Sequence, residues 1–255
     1  MNNRIIRIIG IWALARLAIV SATEPPCEVF LDSGNIGYER FDNRLALDNF
    51  TRAFKRCPDR YDPLMKMTRA LIDEGEDINA RPSESLYVEG LRYADTMLHR
   101  YPDSGQSYFL SAIAAANLAR VKKGLKRVPF AMILDKNIRK SIELAPEFAP
   151  AYVVRGAFFR EVATANPVMK TLAGIFYGWK PLGTLKDSER TLQKALELSP
   201  GNIYAFLELA KTYDALGNKE QAIVLLKRMQ ELPNVWHQDA RLKVDGSQLL
   251  KYLLK

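Results

Sequence analysis

The feature that most constrains the fold is a helix end that recurs along the chain. Four segments close alike, with an apolar helical stretch followed by proline: AFKRCPD, MLHRYPD, SIELAPE and ALELSPG. Their prolines, together with that of MQELPN, are Pro58, Pro102, Pro146, Pro200 and Pro233. The spacings of 44, 44, 54 and 33 residues fit a repeat of about 34 residues that carries insertions. The chain therefore predicts helical units that stack, because one unit alone cannot bury its apolar face.

The last unit, residues 203–233, has the small residues that such packing requires. Ala210 and Ala222 fall where two antiparallel helices would meet, and Gly217 falls at the tight turn between them. Apolar residues make up 48 % of the chain, which is enough to fill a core along the whole stack. We predict an all-α protein in which about four to five helical hairpins form a solenoid.

These positions resemble the tetratricopeptide-repeat (TPR) superfamily over roughly residues 43–233. More narrowly, the stretch from AYVVRGAFFREVA to AIVLLKRMQELP is similar to the C-terminal half of the regulator-of-microtubule-dynamics family and to bacterial secreted proteins of the same layout. A looser similarity exists to the T component of TRAP transporters. The resemblance implies a TPR-type α-solenoid with an apolar insertion in one repeat and a closing helix, here residues 236–255. It brings no catalytic motif.

The insertion NPVMKTLAGIFYGWKPLG, residues 166–183, predicts an additional helix within one hairpin. Asn166 suits a helix cap and Pro167 the first helical position, while Gly178 and Pro181 suit its end. Six apolar residues would share one face of this amphipathic helix: Val168, Met169, Leu172, Ile175, Phe176 and Trp179.

Two interpretations of that apolar face are open. The favoured one is that the face closes the protein core. The alternative is that Leu172, Phe176 and Trp179 form one wall of a pocket for an apolar or peptide ligand.

The first 22 residues predict a targeting segment. Arg4 and Arg7 precede an apolar run that ends at Val20-Ser21-Ala22, which is typical of a secretory signal peptide. We expect residues 1–22 to be removed, residues 23–42 to form a leader, and the mature protein to be periplasmic or secreted.

One residue complicates this interpretation, because Arg16 interrupts the apolar run. An arginine-rich start with no acidic residue before Glu24 also fits a mitochondrial transit peptide. An uncleaved anchor is the third interpretation. Loss of the segment lowers the formal charge from +8 to +5, a mildly basic balance that calls for no nucleic-acid partner.

Two further features leave alternatives open. Cys27 and Cys57 would form a disulfide in an oxidising compartment, or stay as two free thiols. The segment RVKKGLKRVPFAM, residues 120–132, concentrates positive charge. It is either a solvated turn or a site for an anionic partner such as a lipid head group or an acidic peptide.

No catalytic motif is present. The two histidines, His99 and His237, lie far apart without metal-spaced partners, and we interpret Glu74 and Glu76 as loop carboxylates. We expect no enzymatic activity, no metal and no cofactor. In stacked repeats of this kind the first helix of each pair lines the concave face, where counting along the repeats places Arg69, Phe109, Asn117, Arg160, Tyr204 and Lys211.

The predicted function is a non-enzymatic scaffold of the cell envelope that binds another protein or a peptide on this concave face. The alternative is an accessory component that binds a small ligand or lipid in a pocket walled by residues 168–182. The mature protein is not expected to span a membrane.

Overall fold

A computed structural model of the chain describes residues 25–77 and 83–255, and the expected signal peptide (1–22) lies outside this part. The described residues form twelve α-helices and no strand. None of these helices combines the length and the apolar content that a membrane crossing requires.

Ten of the helices pair into five antiparallel hairpins. These are α1 (Cys27–Glu39) with α2 (Asn43–Arg56), α3 (Tyr61–Asp77) with α4 (Glu84–Arg100), α5 (Gly105–Val121) with α6 (Val128–Leu144), α7 (Ala149–Thr164) with α9 (Leu185–Leu198), and α10 (Ile203–Ala215) with α11 (Lys219–Glu231). Helix α8 (Pro167–Tyr177) is inserted in the fourth hairpin, and α12 (Asp239–Leu253) packs on the fifth. The predicted all-α solenoid is confirmed.

The repeated prolines end the second helix of every hairpin, as the sequence predicts. Each proline lies two residues beyond the last residue of α2, α4, α6, α9 or α11. A residue before proline is driven out of the helical region, and Cys57, which precedes Pro58, has φ −131° and ψ 66°. The helix therefore stops, and the chain turns into the next hairpin.

The core follows the hairpins in two adjoining clusters, one centred on α1 to α7 and the other on α7 to α12. Ala210 and Ala222 are fully buried where α10 meets α11, and Gly217 takes φ 78° in the turn between them. The small residues therefore let the two helices approach closely.

The expected leader, residues 23–42, contains helix α1, which packs against α2 as the first half of a hairpin. Two buried glycines permit this contact. A Cβ atom on Gly34 would lie 2.3 Å from the Phe50 ring, and one on Gly37 would lie 2.7 Å from the Ala46 backbone nitrogen. Glycine weakens the local helix signal, so the segment does not look helical until its partner helix is known.

Candidate partner-binding face

The first helices of the hairpins lie side by side and are joined by polar side chains. Tyr38 on α1 donates a hydrogen bond of 3.1 Å to Asp73 on α3. Asn117 on α5 donates one of 3.0 Å to Glu76 on α3. Further polar side chains of this kind lie on α7 and α10. We call the surface formed by the polar side chains of α3, α5, α7 and α10 the inner face.

Five of the six residues predicted for the concave face are polar side chains of these helices, although Asn117 is only 5 % exposed, and their role in partner binding stays a prediction. They are Arg69 on α3, Asn117 on α5, Arg160 on α7, and Tyr204 and Lys211 on α10. The sixth is wrong, because Phe109 is only 5 % exposed and packs edge-on against Phe148 with ring centroids 5.0 Å apart. Phe109 therefore belongs to the core between the third and fourth hairpins.

An ion pair on α3 forms one end of the inner face. Arg69 Nε lies 2.9 Å from Asp73 Oδ2, whose side chain is almost fully buried. The negative charge of Asp73 raises the pKa of Arg69, so the guanidinium stays charged. Burial, together with the charge of Asp73, raises the pKa of Tyr38 well above its ordinary value and keeps its hydroxyl protonated.

A second charged cluster surrounds Glu208 on α10. Arg160 Nη2 lies 2.6 Å from one carboxylate oxygen and Lys211 Nζ lies 2.8 Å from the other. Burial opposes ionisation of this carboxyl, but the two cations and their hydrogen bonds hold its pKa below the usual value. Nearby, burial and then the charge of Glu208 raise the pKa of Tyr204. The cluster is therefore ionised at neutral pH.

The C-terminal part of the chain returns to the inner face at α3. Arg241 on α12 lies 3.1 Å from Glu76, which also accepts the hydrogen bond from Asn117 and lies 3.9 Å from Arg120. The guanidinium carbon of Arg69 lies 5.6 Å from the centre of the Trp236 ring, which is within range for a cation–π contact. Residues from the second hairpin and from the C-terminal end therefore meet.

Helix α8 forms where the sequence predicts it, with the expected ends. The side chain of Asn166 accepts a hydrogen bond of 2.8 Å from the Val168 backbone, and Gly178 takes φ 63° at the other end. The interpretation that its apolar face closes the core is wrong for three of the six residues of that face, Val168, Ile175 and Phe176, which are exposed. Ile175 and Phe176 are 69 % and 65 % exposed, because the main contacts of α8, with α6 and with the turn before α6, leave these two side chains uncovered.

The three expected pocket-wall residues lie in different surroundings. Leu172 is half-buried, Phe176 faces solvent, and Trp179 packs against the core with its ring 6.3 Å from that of Phe158. A pocket of about 310 Å³ lies elsewhere and is lined by Ile142, Tyr152, Arg155, Arg190, Thr191 and Lys194. Because half of its lining is cationic, it gives no support to an apolar ligand.

The two cysteines are neighbours as free thiols. Cys27 Sγ donates to the Ala53 carbonyl at 3.5 Å, so the thiol is held at the end of α2 where Cys57 lies. Burial, and then the adjacent Cys57, raise the pKa of Cys27 to about 11. At neutral pH this thiol is protonated and therefore a poor nucleophile.

The profile of one family, described as "Regulator of microtubule dynamics protein 1-3", matches residues 35–254 of the chain. The chain belongs to this family. Regulator of microtubule dynamics protein 3 from Rattus norvegicus is 27 % identical over 192 residues, which are 74 % of this chain and 41 % of that protein. The Xenopus laevis protein of the same name is 28 % identical over 213 residues, 82 % of this chain and 45 % of that protein. The chain thus spans less than half the length of these relatives.

Solved structures share the fold of this family member. A thermophilic TPR protein of Thermus thermophilus superposes with a TM-score of 0.65 at 19 % identity, over 88 % of this chain and 99 % of that one. Yeast Tom70 gives a TM-score of 0.51 at 14 % identity, over 89 % of this chain and 40 % of that one. At these identities the likeness concerns the fold alone, and it confirms the predicted TPR-type solenoid fold.

The inner face contains acidic residues that reasoning from the sequence missed. The interpretation of Glu74 and Glu76 as loop carboxylates is wrong, because both residues lie on α3, and Glu76 contacts α5 and α12. Asp73 follows Arg69 by four residues and Lys211 follows Glu208 by three, spacings at which helical side chains meet. Those spacings are a usable signal in the sequence. Across residues 25–77 and 83–255, no group of three or more His, Cys, Asp or Glu side chains is placed to hold a metal ion.

Proposed function

We propose that the protein is a non-enzymatic scaffold that binds an extended segment of another protein along the inner face. One observation carries this proposal: charged side chains of both signs lie buried or half-buried along that face and are linked from helix to helix. Buried ion pairs contribute little net stability, because the cost of removing charges from water offsets their attraction. We infer that this arrangement serves recognition.

The chemistry of the inner face suits a peptide with both acidic and polar groups. Arg160 and Lys211 present donors that a carboxylate of the partner can share with Glu208, and such charge-assisted hydrogen bonds are the stronger class. The hydroxyl of the half-buried Tyr204 can exchange hydrogen bonds with the backbone of an extended segment. A peptide would therefore be held by both its side chains and its backbone.

Selection of binding peptides tests this proposal. A phage-displayed peptide library is selected on the full chain, and the recovered peptides are titrated against a double variant, Arg160→Gln with Glu208→Gln. This variant removes both charges together, so neither is left buried without its partner. The matched control, Lys194→Gln with Glu197→Gln, removes an exposed pair on α9 whose atoms are 3.3 Å apart.

The inner-face variant should bind the selected peptides at least about tenfold more weakly, because each lost charged hydrogen bond costs roughly 1.5–3 kcal/mol. The α9 control should bind as the parent does. Peptides that bind all three proteins equally would contradict the proposal, as would a library that yields no binder.

Two cellular settings stay open as proposals: the periplasm or exterior, and the mitochondrion. The relatives named above are animal proteins, and animal cells have mitochondria but no periplasm. These relatives lend no support to a periplasmic or secreted setting and agree with a mitochondrial one. Two measurements separate these settings: sequencing of the mature N-terminus and fractionation of the native cell. A cleaved signal peptide should leave Thr23 as the first residue.

The disulfide between Cys27 and Cys57 is a proposal that depends on this setting. An oxidising compartment would join the two neighbouring thiols, and a reducing one would leave them free. Peptide mass mapping of the native protein without reductant should recover the cross-linked pair in the first case. Unlinked peptides from an exported protein would contradict it.

A further inference from the structure

Helix α8 and the segment that follows it expose apolar side chains that the solenoid leaves uncovered. Val168, Ile175, Phe176 and Leu182 are between 64 % and 81 % exposed. In the helix, Val168, Ile175 and Phe176 lie at i, i+7 and i+8, so they share the outward side, while Ala173 on the opposite side is buried. We call these four residues the apolar edge. Several large apolar side chains together on a surface mark an interaction site more often than a solitary one does.

Uncompensated positive charge surrounds the apolar edge. Helix α8 packs against the turn Gly124–Arg127, here called the basic turn, since both connect a first helix to a second helix on the same side of the solenoid. Five cations lie in the basic turn, immediately before it or beside α8: Lys123, Lys126, Arg127, Lys170 and Lys180. None of them has an ion-pair partner within the part of the chain that the structure describes.

Two cations that precede Lys123 in the sequence have acidic partners, so the unpaired positive charge is confined to one place. Lys122 pairs with Glu84 at 2.5 Å and Arg120 approaches Glu76 at 3.9 Å, just before the basic turn. No acidic residue occurs in residues 120–134 or 162–186. The cations of these two segments thus have no acidic residue beside them in the sequence, and such a cluster of one sign attracts an anionic surface.

We propose that the apolar edge and the basic turn dock the protein peripherally on an anionic lipid bilayer. The four apolar side chains would enter the boundary between head groups and acyl chains, and the five cations would meet the lipid phosphates. A second copy of the chain fits poorly, because it would place five unpaired cations against five more. A bilayer also requires no complementary groove, which suits separate side chains that project from one short helix and from the segment after it.

Binding to vesicles tests the proposal with the full chain. The vesicles contain phosphatidylcholine alone or a mixture with phosphatidylserine, and binding is measured by co-sedimentation at low and high salt. One variant, Ile175→Ser with Phe176→Ser, removes apolar contact, and a second, Lys123→Gln with Lys126→Gln and Arg127→Gln, removes charge. The control, Val224→Ser with Val244→Ser, changes two apolar residues of similar exposure on α11 and α12.

The parent should bind the phosphatidylserine vesicles, and salt should weaken that binding. The apolar variant should bind about tenfold more weakly or worse. The charge variant should lose about a hundredfold, since each cation near an anionic surface contributes roughly fivefold. The control should bind as the parent does. Equal losses in the control and the apolar variant would overturn the proposal.

A local probe separates this surface from the N-terminal segment, which is present in every variant. An environment-sensitive dye is attached at Phe176→Cys, or at Val224→Cys as the control, after Cys27→Ala and Cys57→Ser have removed both native thiols. Dye at position 176 should shift to shorter wavelength on phosphatidylserine vesicles, and dye at position 224 should not. No shift at position 176 would overturn the proposal. So would a shift that appears without vesicles as the protein concentration rises, because it would show self-association instead.

Discussion

At the scale of single residues, the hairpins depend on glycines that receive a large side chain from the facing helix. A Cβ atom on Gly156 of α7 would lie 2.5 Å from Leu192 Cγ of α9, and Leu192 is fully buried. Leu192 can fill the core only because this position on α7 has no side chain. The same arrangement places Phe50 against Gly34 in the first hairpin.

We expect Gly156→Ala to destabilise the protein by about 1–3 kcal/mol, because the added methyl group overpacks a site that close contacts surround on the Leu192 side. Urea unfolding measures this free energy. Gly201→Ala is the control, since a Cβ atom there meets nothing within 4 Å. Similar losses from the two substitutions would show that the contact with Leu192 does not govern the effect.

The carboxyl of Glu208 makes stability depend on pH. Its folded-state pKa is lowered although burial opposes ionisation, because Arg160 and Lys211 stabilise its charge. A lowered folded pKa means that this contribution is fully present above the unfolded pKa of about 4.3. It is lost as the pH falls through the folded value.

In Glu208→Gln, the free energy of unfolding should therefore fall less steeply below about pH 4.3 than in the wild type. The free energies of unfolding of the two proteins should converge as the pH falls. Urea unfolding at a series of pH values from neutral to acidic measures the two slopes. Glu197→Gln, in an exposed pair with Lys194, controls for the loss of a surface carboxylate. A Glu208→Gln slope equal to that of the parent would contradict the expected role of the cluster.

At the scale of elements, α8 differs from the other helices because no partner helix covers its apolar side. Its ends are built by local capping at Asn166 and Gly178, so the helix forms without such a partner. The segment after it is anchored by Trp179, which packs against Phe158. Phe176 and Trp179 thus serve different purposes.

Replacement of each aromatic residue by alanine should separate these purposes. Trp179→Ala should cost about 1–3 kcal/mol, because it empties a site in the core, whereas Phe176→Ala should stay within about 0.5 kcal/mol, because its ring faces solvent. Thermal unfolding of both variants makes the comparison. A comparable loss from Phe176→Ala would mean that the apolar edge is covered by the rest of the chain.

At the scale of the whole molecule, the second hairpin and the C-terminal helix are joined across the inner face. Glu76 and Arg241 are 165 residues apart in sequence, yet their side chains lie 3.1 Å apart. A second contact joins the same two regions: the guanidinium of Arg69 on α3 lies over the ring of Trp236, just before α12. These contacts limit how far the ends of the solenoid can separate, and therefore how wide the inner face opens.

Arg241→Gln should widen the molecule without unfolding it. Because Arg241 is about half exposed, loss of the ion pair should change the free energy of unfolding by less than about 1 kcal/mol. Small-angle X-ray scattering should show a larger radius of gyration than for the parent. Arg190→Gln, which breaks an ion pair within α9, is the control. An unchanged radius in both variants would show that the contact does not restrain the solenoid.

The positions at which most helices begin and end follow from local signals in the sequence. The five prolines, the Gly217 turn and the Asn166 and Gly178 caps act on residues within a few positions of themselves, so their effect can be predicted without knowledge of the fold. The stacked hairpins, the inserted helix and most of the inner face follow from these signals, because residues at fixed positions of a repeat occupy equivalent places.

Which surfaces those helices bury is known only once the chain has folded. The amphipathic pattern of α8 predicts an apolar face but not what covers it, and here nothing in the described part of the chain covers Phe176. The pattern likewise could not show that α1 pairs with α2 or that Arg241 reaches Glu76. Burial and ion pairing depend on atoms that are distant in sequence, and their positions exist only after the hairpins have stacked.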